Sequence, residues 1–313
     1  MIVGRLAPSP TGRLHLGHAR SFLLAWWSAR SQGGNVVLRL EDLDSERSQR
    51  KFVDLCLRDL EWLGLDWDGP ARIQSAGIGR IIATATALEQ QGHAYPCVCT
   101  RGDLRAQVSA PQLGNVEVRY AGRCRGRFAN RREAEVLTGQ KAALRFKVPA
   151  GFVTVKDGLS GSVDFDVQAD VGDFAILRRD GIPSYQLAVS VDDAIDGVTE
   201  VVRGDDLLPS AARQLLLNRT LGFPEKRYFH VPLVVDEGGR RLAKRCDDLG
   251  ISTLRDAGVD PRAIVGWVAR NSGMPHVTFA YPHELLREFS WKRFPTDRVF
   301  FDSAAHDSLL PLR

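Results

Sequence analysis

Two histidines three residues apart, His15 and His18, follow a short apolar segment and a Pro-Ser-Pro turn, with Gly17 between them. Residues at this spacing near the start of a helix share one face on adjacent turns. The same helix end offers unpaired N–H groups and the positive pole of the backbone dipole, which suits phosphate. Gly17 removes a side chain where a flat base or ribose could approach the backbone. The chemistry indicated is binding of a nucleotide, with preorganised donors aimed at charge that develops on a phosphate. A bare His-x-x-His pair is commonplace, so the weight rests on the whole run from Ala7 to His18, APSPTGRLHLGH.

Two further groups carry chemistry. Arg241-Leu242-Ala243-Lys244-Arg245 is a basic loop after the apolar segment Val231 to Val235 and Gly238-Gly239. Cys97-Val98-Cys99 places two thiols on one face of a strand, and Cys124 follows inside an arginine-rich stretch. Three thiolates need a fourth ligand for a closed tetrahedral site. By residue type alone, His93 is the best generic candidate and Cys56 a second. Six arginines (119, 123, 125, 127, 131, 132) stand between positions 119 and 132 with no acid among them, a charge distribution suited to a polyanion.

The elements that must hold these groups are readable from periodicity. Ile2 to Leu6 suits a buried strand stopped by Pro8 and Pro10. From His15, Leu16, Ala19, Phe22, Leu23, Trp26 and Ala29 recur at helical spacing until Gly33-Gly34. Val36 to Leu40 reads as a second strand, and Phe52, Leu55, Cys56, Leu60 and Leu63 mark another helix. Alternating strands and helices indicate βαβ units and a parallel sheet, hence an α/β fold. A third helix covers Ile78 to Gln91, after which residues 92 to 132 lose periodicity and look like an insertion. Short alternating strands occupy 144 to 179, and short helices follow Leu249, one with Pro261 in its first turn.

The chain has 313 residues and is 44% hydrophobic and 26% charged, which excludes wholesale disorder. No apolar run approaches the roughly 20 residues of a bilayer span, and the N-terminus has no secretory signal pattern. Five cysteines without a secretory context argue for a reducing cytoplasm rather than a disulfide framework. The net charge of +4 is only mildly basic.

The run beginning at Arg5 resembles the HIGH signature of class I aminoacyl-tRNA synthetases, in the form RxAPSPTGxxHxGH of the glutamyl/glutaminyl branch. That resemblance implies a Rossmann-like catalytic domain in which His15, Gly17 and His18 bind ATP while a carboxylate attacks the α-phosphorus. Arg241 to Arg245 is similar to the KMSKS loop; it keeps only the second lysine, Lys244, with Arg241 preserving charge and Ala243 and Arg245 departing from the serines. The implied catalytic set is His15, His18 and Lys244. The implied glutamate pocket is Arg5, Ala7, Ser9, Glu41, Tyr185 and Arg203, with Glu41 taking the substrate ammonium. A guanidinium fork at Arg5 suits a carboxylate and would be poorly paired by glutamine. Asp192-Asp193 reads as structural, because Mg²⁺ would arrive bound to ATP phosphates.

Cys-x-Cys followed by Tyr-x3-Cys resembles the zinc site of glutamyl-Q tRNA(Asp) synthetases, which implies one structural Zn²⁺ on Cys97, Cys99, Tyr120 and Cys124. The expected organisation is 1–91, first half of the catalytic domain; 92–142, zinc-binding insertion; 143–245, second half ending in the KMSKS-like loop; and 246–313, helical, with no anticodon-binding domain. The resemblance implies activation of L-glutamate by ATP and transfer to the queuosine base in the anticodon of tRNA(Asp), by a cytoplasmic monomer. The alternatives are a short glutamyl-tRNA synthetase charging the tRNA 3′ end and a catalytically silent tRNA-binding paralogue.

Overall fold

The computed structural model describes residues 1–100, 102–103, 120–239 and 249–309. Three strands, β1 (Val3–Leu6), β2 (Asn35–Leu40) and β3 (Arg72–Ile73), pair in parallel in that order, with Arg5 opposite Val37. Helices α1 (Leu16–Arg30) and α2 (Arg50–Trp62) provide the crossovers, and α3 (Ile78–Gln90) follows β3. The expected α/β unit is therefore present, with strand and helix ends within a few residues of those read from periodicity.

Helix α1 is buried on nearly every side: Leu16, Ala19, Leu23, Leu24, Trp26 and Trp27 all lie in the main core. Its end is enforced by two glycines. Gly33 has φ +65°, and a Cβ on Gly34 would sit 2.5 Å from the Ile2 carbonyl oxygen, so the chain can return beside β1 only with glycine there. Strand β2 is covered on both faces, which is why Arg39, alternating with Leu38 and Leu40, is also wholly buried.

Strands β4 (Ala94–Cys97), β5 (Ala143–Phe146), β6 (Phe152–Asp157), β7 (Gly161–Asp166) and β8 (Phe174–Leu177) come next along the chain. They are followed by β9 (Glu200–Gly204), β10 (Arg227–Val231) and β11 (Val234–Val235). A second sheet has the order β7-β6-β10-β9, with β6, β10 and β9 parallel and β7 antiparallel. Thr199 N donates to Val3 O at 3.0 Å and Val3 N donates to Thr199 Oγ1 at 2.9 Å, so β9 begins alongside β1. Strand order thus reverses between β1 and β9, the topological switch point where ligands of open α/β sheets gather.

Strand β4 is tied to the chain on the far side of the cysteine-bearing segment. It pairs antiparallel with β5, and β5 with β8, so β4 is joined across that segment to the strand that begins at Ala143. The arginine stretch ends in a helix, Arg131–Thr138, capped by the Asn130 side chain. The apolar run 188–191 lies within the helix Tyr185–Ile195, where Leu187, Ala188, Val189 and Val191 are all buried. Continuous apolar runs carry no period that separates strand from helix.

Beyond 249, the helices Ile251–Asp256 and Pro261–Arg270 precede β12 (Val299–Phe300), which pairs in parallel with β11, and a last helix, Ser303–Leu309. Asp260 caps the Pro261–Arg270 helix, with Pro261 in its first turn. Ile264, Trp267 and Val268 join the core around α1, and Trp27 Nε1 donates to Pro282 O at 2.9 Å. Among the described residues no helix is long and apolar enough to cross a membrane.

Candidate active site

The turn after β1 brings the first signature to the sheet edge. Glu41 N donates to Pro8 O at 2.9 Å, which sets the Ser9 region beside the end of β2. His15 is extended at the N-cap of α1, and its backbone N–H donates to His18 Nδ1 at 3.2 Å. His18 Nδ1 is therefore a lone-pair acceptor, and the proton of the neutral ring sits on Nε2. The two imidazoles stack with centroids 3.7 Å apart. A Cβ on Gly17 would lie 3.1 Å from both Cε1 and Nδ1 of His15, so glycine leaves room for that ring.

The opposite wall is built around a buried carboxylate. Arg5, on β1, is only 7% exposed, and its Nε lies 3.1 Å from Asp193 Oδ1. The same oxygen accepts from Arg39 NH2 at 2.7 Å, and that nitrogen also donates to Glu41 Oε1 at 3.0 Å. Burial alone would weaken the charge of Arg5, but Asp193 together with Glu41 and Tyr185 outweighs it and raises the guanidinium pKa. Burial also works upward on Asp193, yet Arg5 and Arg39 hold it below the usual carboxylate range. Asp192 is engaged by Arg72 and Gln74. The acidic pair thus lies inside a network of ion pairs and hydrogen bonds.

Arg203, on β9, donates from Nε to His230 Nε2 at 3.1 Å and from NH1 to Gln214 Oε1 at 2.9 Å and Tyr185 Oη at 3.3 Å. The Tyr185 oxygen accepts that bond, so its own hydrogen remains to donate. Arg5, Ala7, Ser9, His15, Gly17, His18, Glu41, Tyr185 and Arg203 line one cleft of about 230 Å³. Lys244 and the rest of the Arg241–Arg245 loop, with Cys246, lie outside the described residues.

Residues just after that loop are fastened to the first signature. Ile251 N donates to Leu14 O at 2.8 Å, and Arg13 NH1 donates to Thr253 Oγ1 at 3.1 Å.

Several residues here were not singled out in the sequence. Arg39 and His230 stand behind the cleft beside Asp193, and Arg20 lines it, donating to Pro232 O at 2.7 Å. Burial lowers the Arg20 pKa to about 10, against the opposing pull of Asp205. A charged residue inside an apolar strand, as in Val36-Val37-Leu38-Arg39-Leu40, was a usable signal for Arg39.

The thiols of Cys97, Cys99 and Cys124 lie within 4.8 Å of one another. Tyr120 Oη is 3.4 Å from Cys97 Sγ and 3.5 Å from Cys99 Sγ, and it accepts from Cys124 N at 2.8 Å. Tetrahedral bonds of about 2.3 Å to sulfur imply sulfur separations of roughly 3.8 Å, so the donor set fits one zinc ion. His93 is solvent-exposed and Cys56 lies in the main core; neither belongs to the cluster. Arg145 stacks its guanidinium over the Tyr120 ring at 4.0 Å. The local core is small, comprising Tyr95, Cys97, Tyr120, Cys124, Phe128, Ala134 and Ala142. A metal would staple such a unit.

The arginines around this unit divide into two kinds. Arg125 is partly exposed but held in place: NH2 donates to Val148 O at 2.7 Å and to Asp173 Oδ1 at 2.9 Å. Arg123 is 60% exposed and only loosely paired with Asp103, at 3.7 Å, while Arg127 stacks over Phe128 at 5.0 Å. Arg119 lies outside the described residues.

Comparison with known proteins accords with this geometry. The family described as tRNA synthetases class I (E and Q), catalytic domain, matches residues 1–302. A glutamyl-Q tRNA(Asp) synthetase of Nitratidesulfovibrio vulgaris is 42% identical over 95% of this chain and 94% of its own length. A glutamate–tRNA ligase of Aquifex aeolicus is 38% identical over 84% of this chain and 56% of its own length. The crystal structure of a glutamate tRNA ligase from Elizabethkingia meningosepticum, in complex with its amino acid, superposes with a TM-score of 0.82 at 26% identity, covering 97% of this chain and 68% of that one. The chain belongs to the class I tRNA synthetase family, E and Q branch, and within it matches glutamyl-Q tRNA(Asp) synthetases along nearly their whole length.

Proposed function

We propose that this protein activates L-glutamate with ATP to glutamyl-adenylate and transfers the glutamyl group to the queuosine base in the anticodon of tRNA(Asp). The observation that carries the activation step is the shared cleft, in which Arg5, Arg203 and Glu41 face the same volume as His15 and His18. Two cations and one anion complement a substrate with two carboxylates and one ammonium. In this reading Arg5 holds the side-chain carboxylate and Glu41, near Ala7 and Ser9, holds the ammonium. Arg203 and Tyr185 orient the α-carboxylate. One of its oxygens attacks the α-phosphorus of ATP; a P–O bond forms, the bridging α–β bond breaks, and pyrophosphate leaves. His15, His18 and the first N–H groups of α1 meet the charge on the phosphates, a stabilisation that is usually the largest part of such catalysis. Lys244 is assigned to ATP with them, and Mg²⁺ would accompany the nucleotide. In the second step the queuosine base takes the glutamyl group and AMP leaves.

The relatives named glutamyl-Q tRNA(Asp) synthetase support queuosine over the tRNA 3′ end as acceptor. The likeness to glutamate–tRNA ligases supports the second reading, charging of the 3′ end. Cys97, Cys99, Tyr120 and Cys124 would hold one structural zinc ion, which staples the small core around Tyr120 and takes no part in the reaction. We assign the protein to the cytoplasm as a monomer. Glutamate-dependent exchange of pyrophosphate into ATP, without tRNA, tests the activation step. Exchange with glutamate and not glutamine is expected; equal exchange with both, or none, would overturn it.

A further inference from the structure

Arg203 is the cation assigned above to the α-carboxylate, yet among the described residues no carboxylate touches it. Its partners are neutral: His230 Nε2, Gln214 Oε1, Tyr185 Oη and Leu207 O. The anion stands one residue back. Asp157 Oδ2 is 2.7 Å from His230 Nδ1 and also accepts the His230 backbone N–H at 3.0 Å. Its other oxygen accepts from Leu159 N at 3.0 Å and Ser160 N at 2.9 Å, so the carboxylate is fixed from both sides.

The proton positions follow from this geometry. Arg203 Nε carries a hydrogen, so His230 Nε2 must present a lone pair; the ring proton therefore sits on Nδ1 and is donated to Asp157. His230 is 2% exposed and stacks on Tyr228 with centroids 5.8 Å apart. The three residues cross adjacent strands β6, β10 and β9, and His230 is the register partner of Arg203. A carboxylate hydrogen-bonded to one imidazole nitrogen orients the ring and raises the basicity of the other.

We propose that Asp157 and His230 form a positioning relay that orients Arg203 for the carboxylate of the substrate while leaving its charge available. The proposal rests on the assignment of Arg203 to that carboxylate.

The test is pyrophosphate–ATP exchange by the whole protein, with KM measured separately for glutamate and ATP. His230→Leu removes the acceptor for Arg203 Nε, and His230→Gln restores an amide oxygen that can accept it. Loss of one hydrogen bond to a charged group predicts that His230→Leu raises the glutamate KM by about tenfold or more. The ATP KM stays within about twofold, and His230→Gln recovers most of the loss. Asp157→Asn gives a smaller rise on glutamate alone, and it carries the test if the leucine variant does not fold. An unchanged glutamate KM in Asp157→Asn and in a folded His230→Leu protein overturns the relay, as does an equal rise for both substrates. Arg203→Gln separates the two levels: if it leaves the glutamate KM unchanged, the assignment of Arg203 itself fails, whatever the His230 variants do.

Discussion

Arg5 Nε lies 3.1 Å from Asp193 Oδ1, on a side chain that is almost wholly buried. A cation meant for a substrate carboxylate is thus kept charged and in place by an anion beneath it. Arg39 draws Asp193 and Glu41 together through one nitrogen, so the two proposed charge-reading groups share a support. Removing one partner of a buried pair leaves an uncompensated charge, at a cost of about 3–5 kcal/mol.

Asp193→Asn is therefore expected to lower folding stability by about that amount and to raise the glutamate KM at least tenfold. The ATP KM should hardly move. Denaturant titration and exchange kinetics check both effects; a wild-type glutamate KM would contradict the support role.

Gly17→Ala places a methyl 3.1 Å from the His15 ring, which must then tilt. Displacing a preorganised donor typically costs about 10²-fold in turnover. The variant should fold normally and lose exchange mainly in kcat. A wild-type kcat would show that the position of His15 is not critical.

The βαβ unit, the first signature and the cysteine spacing were legible because each is local. A strand, a proline turn and a helix start lie within eighteen residues, and Cys97 and Cys99 need only strand alternation. Asp193, Arg39, Asp157 and His230 were not legible as a set, because strand register and helix packing bring together residues distant along the chain. Asp192-Asp193 did show itself as an acidic pair, read as structural, and Asp193 forms ion pairs with Arg5 and Arg39. Arg125 could not be told from Arg123 by sequence, since only the fold supplies Asp173 as its partner.

The zinc assignment predicts one equivalent of zinc per chain by atomic absorption. Cys124→Ser should lose the metal and loosen the segment around it, whereas His93→Ala should keep a full equivalent. Zinc retained by Cys124→Ser, or lost by His93→Ala, would contradict the assigned ligand set.

Burial holds the His230 imidazole below its ordinary value of 6.5, with Arg203 acting the same way and the bond to Asp157 and the charge of Asp205 opposing. The unfolded chain then binds a proton that the folded chain refuses, so stability from this group is full above pH 6.5 and falls as the pH drops below it. The urea midpoint should decline from about pH 7.5 to about 5.5 less steeply in His230→Gln than in wild type. Parallel declines would show that His230 does not titrate in this way.

The exposed arginines predict a salt-dependent contact with RNA. Replacing Arg123 and Arg127 together should weaken glutamyl transfer to tRNA and reduce its salt dependence, while tRNA-free exchange stays unchanged. Arg125→Ala should act first on stability, through Asp173 and Val148. Transfer by the Arg123/Arg127 variant equal to wild type would place the RNA contact elsewhere.

The most direct test of the proposed activity is transfer of labelled glutamate, with ATP, to two tRNA pools, one carrying queuosine and one lacking it. Label is expected on the queuosine pool alone. Equal label on both would contradict transfer to queuosine and establish charging of the 3′ end, and label on neither would mark a protein that binds tRNA without modifying it.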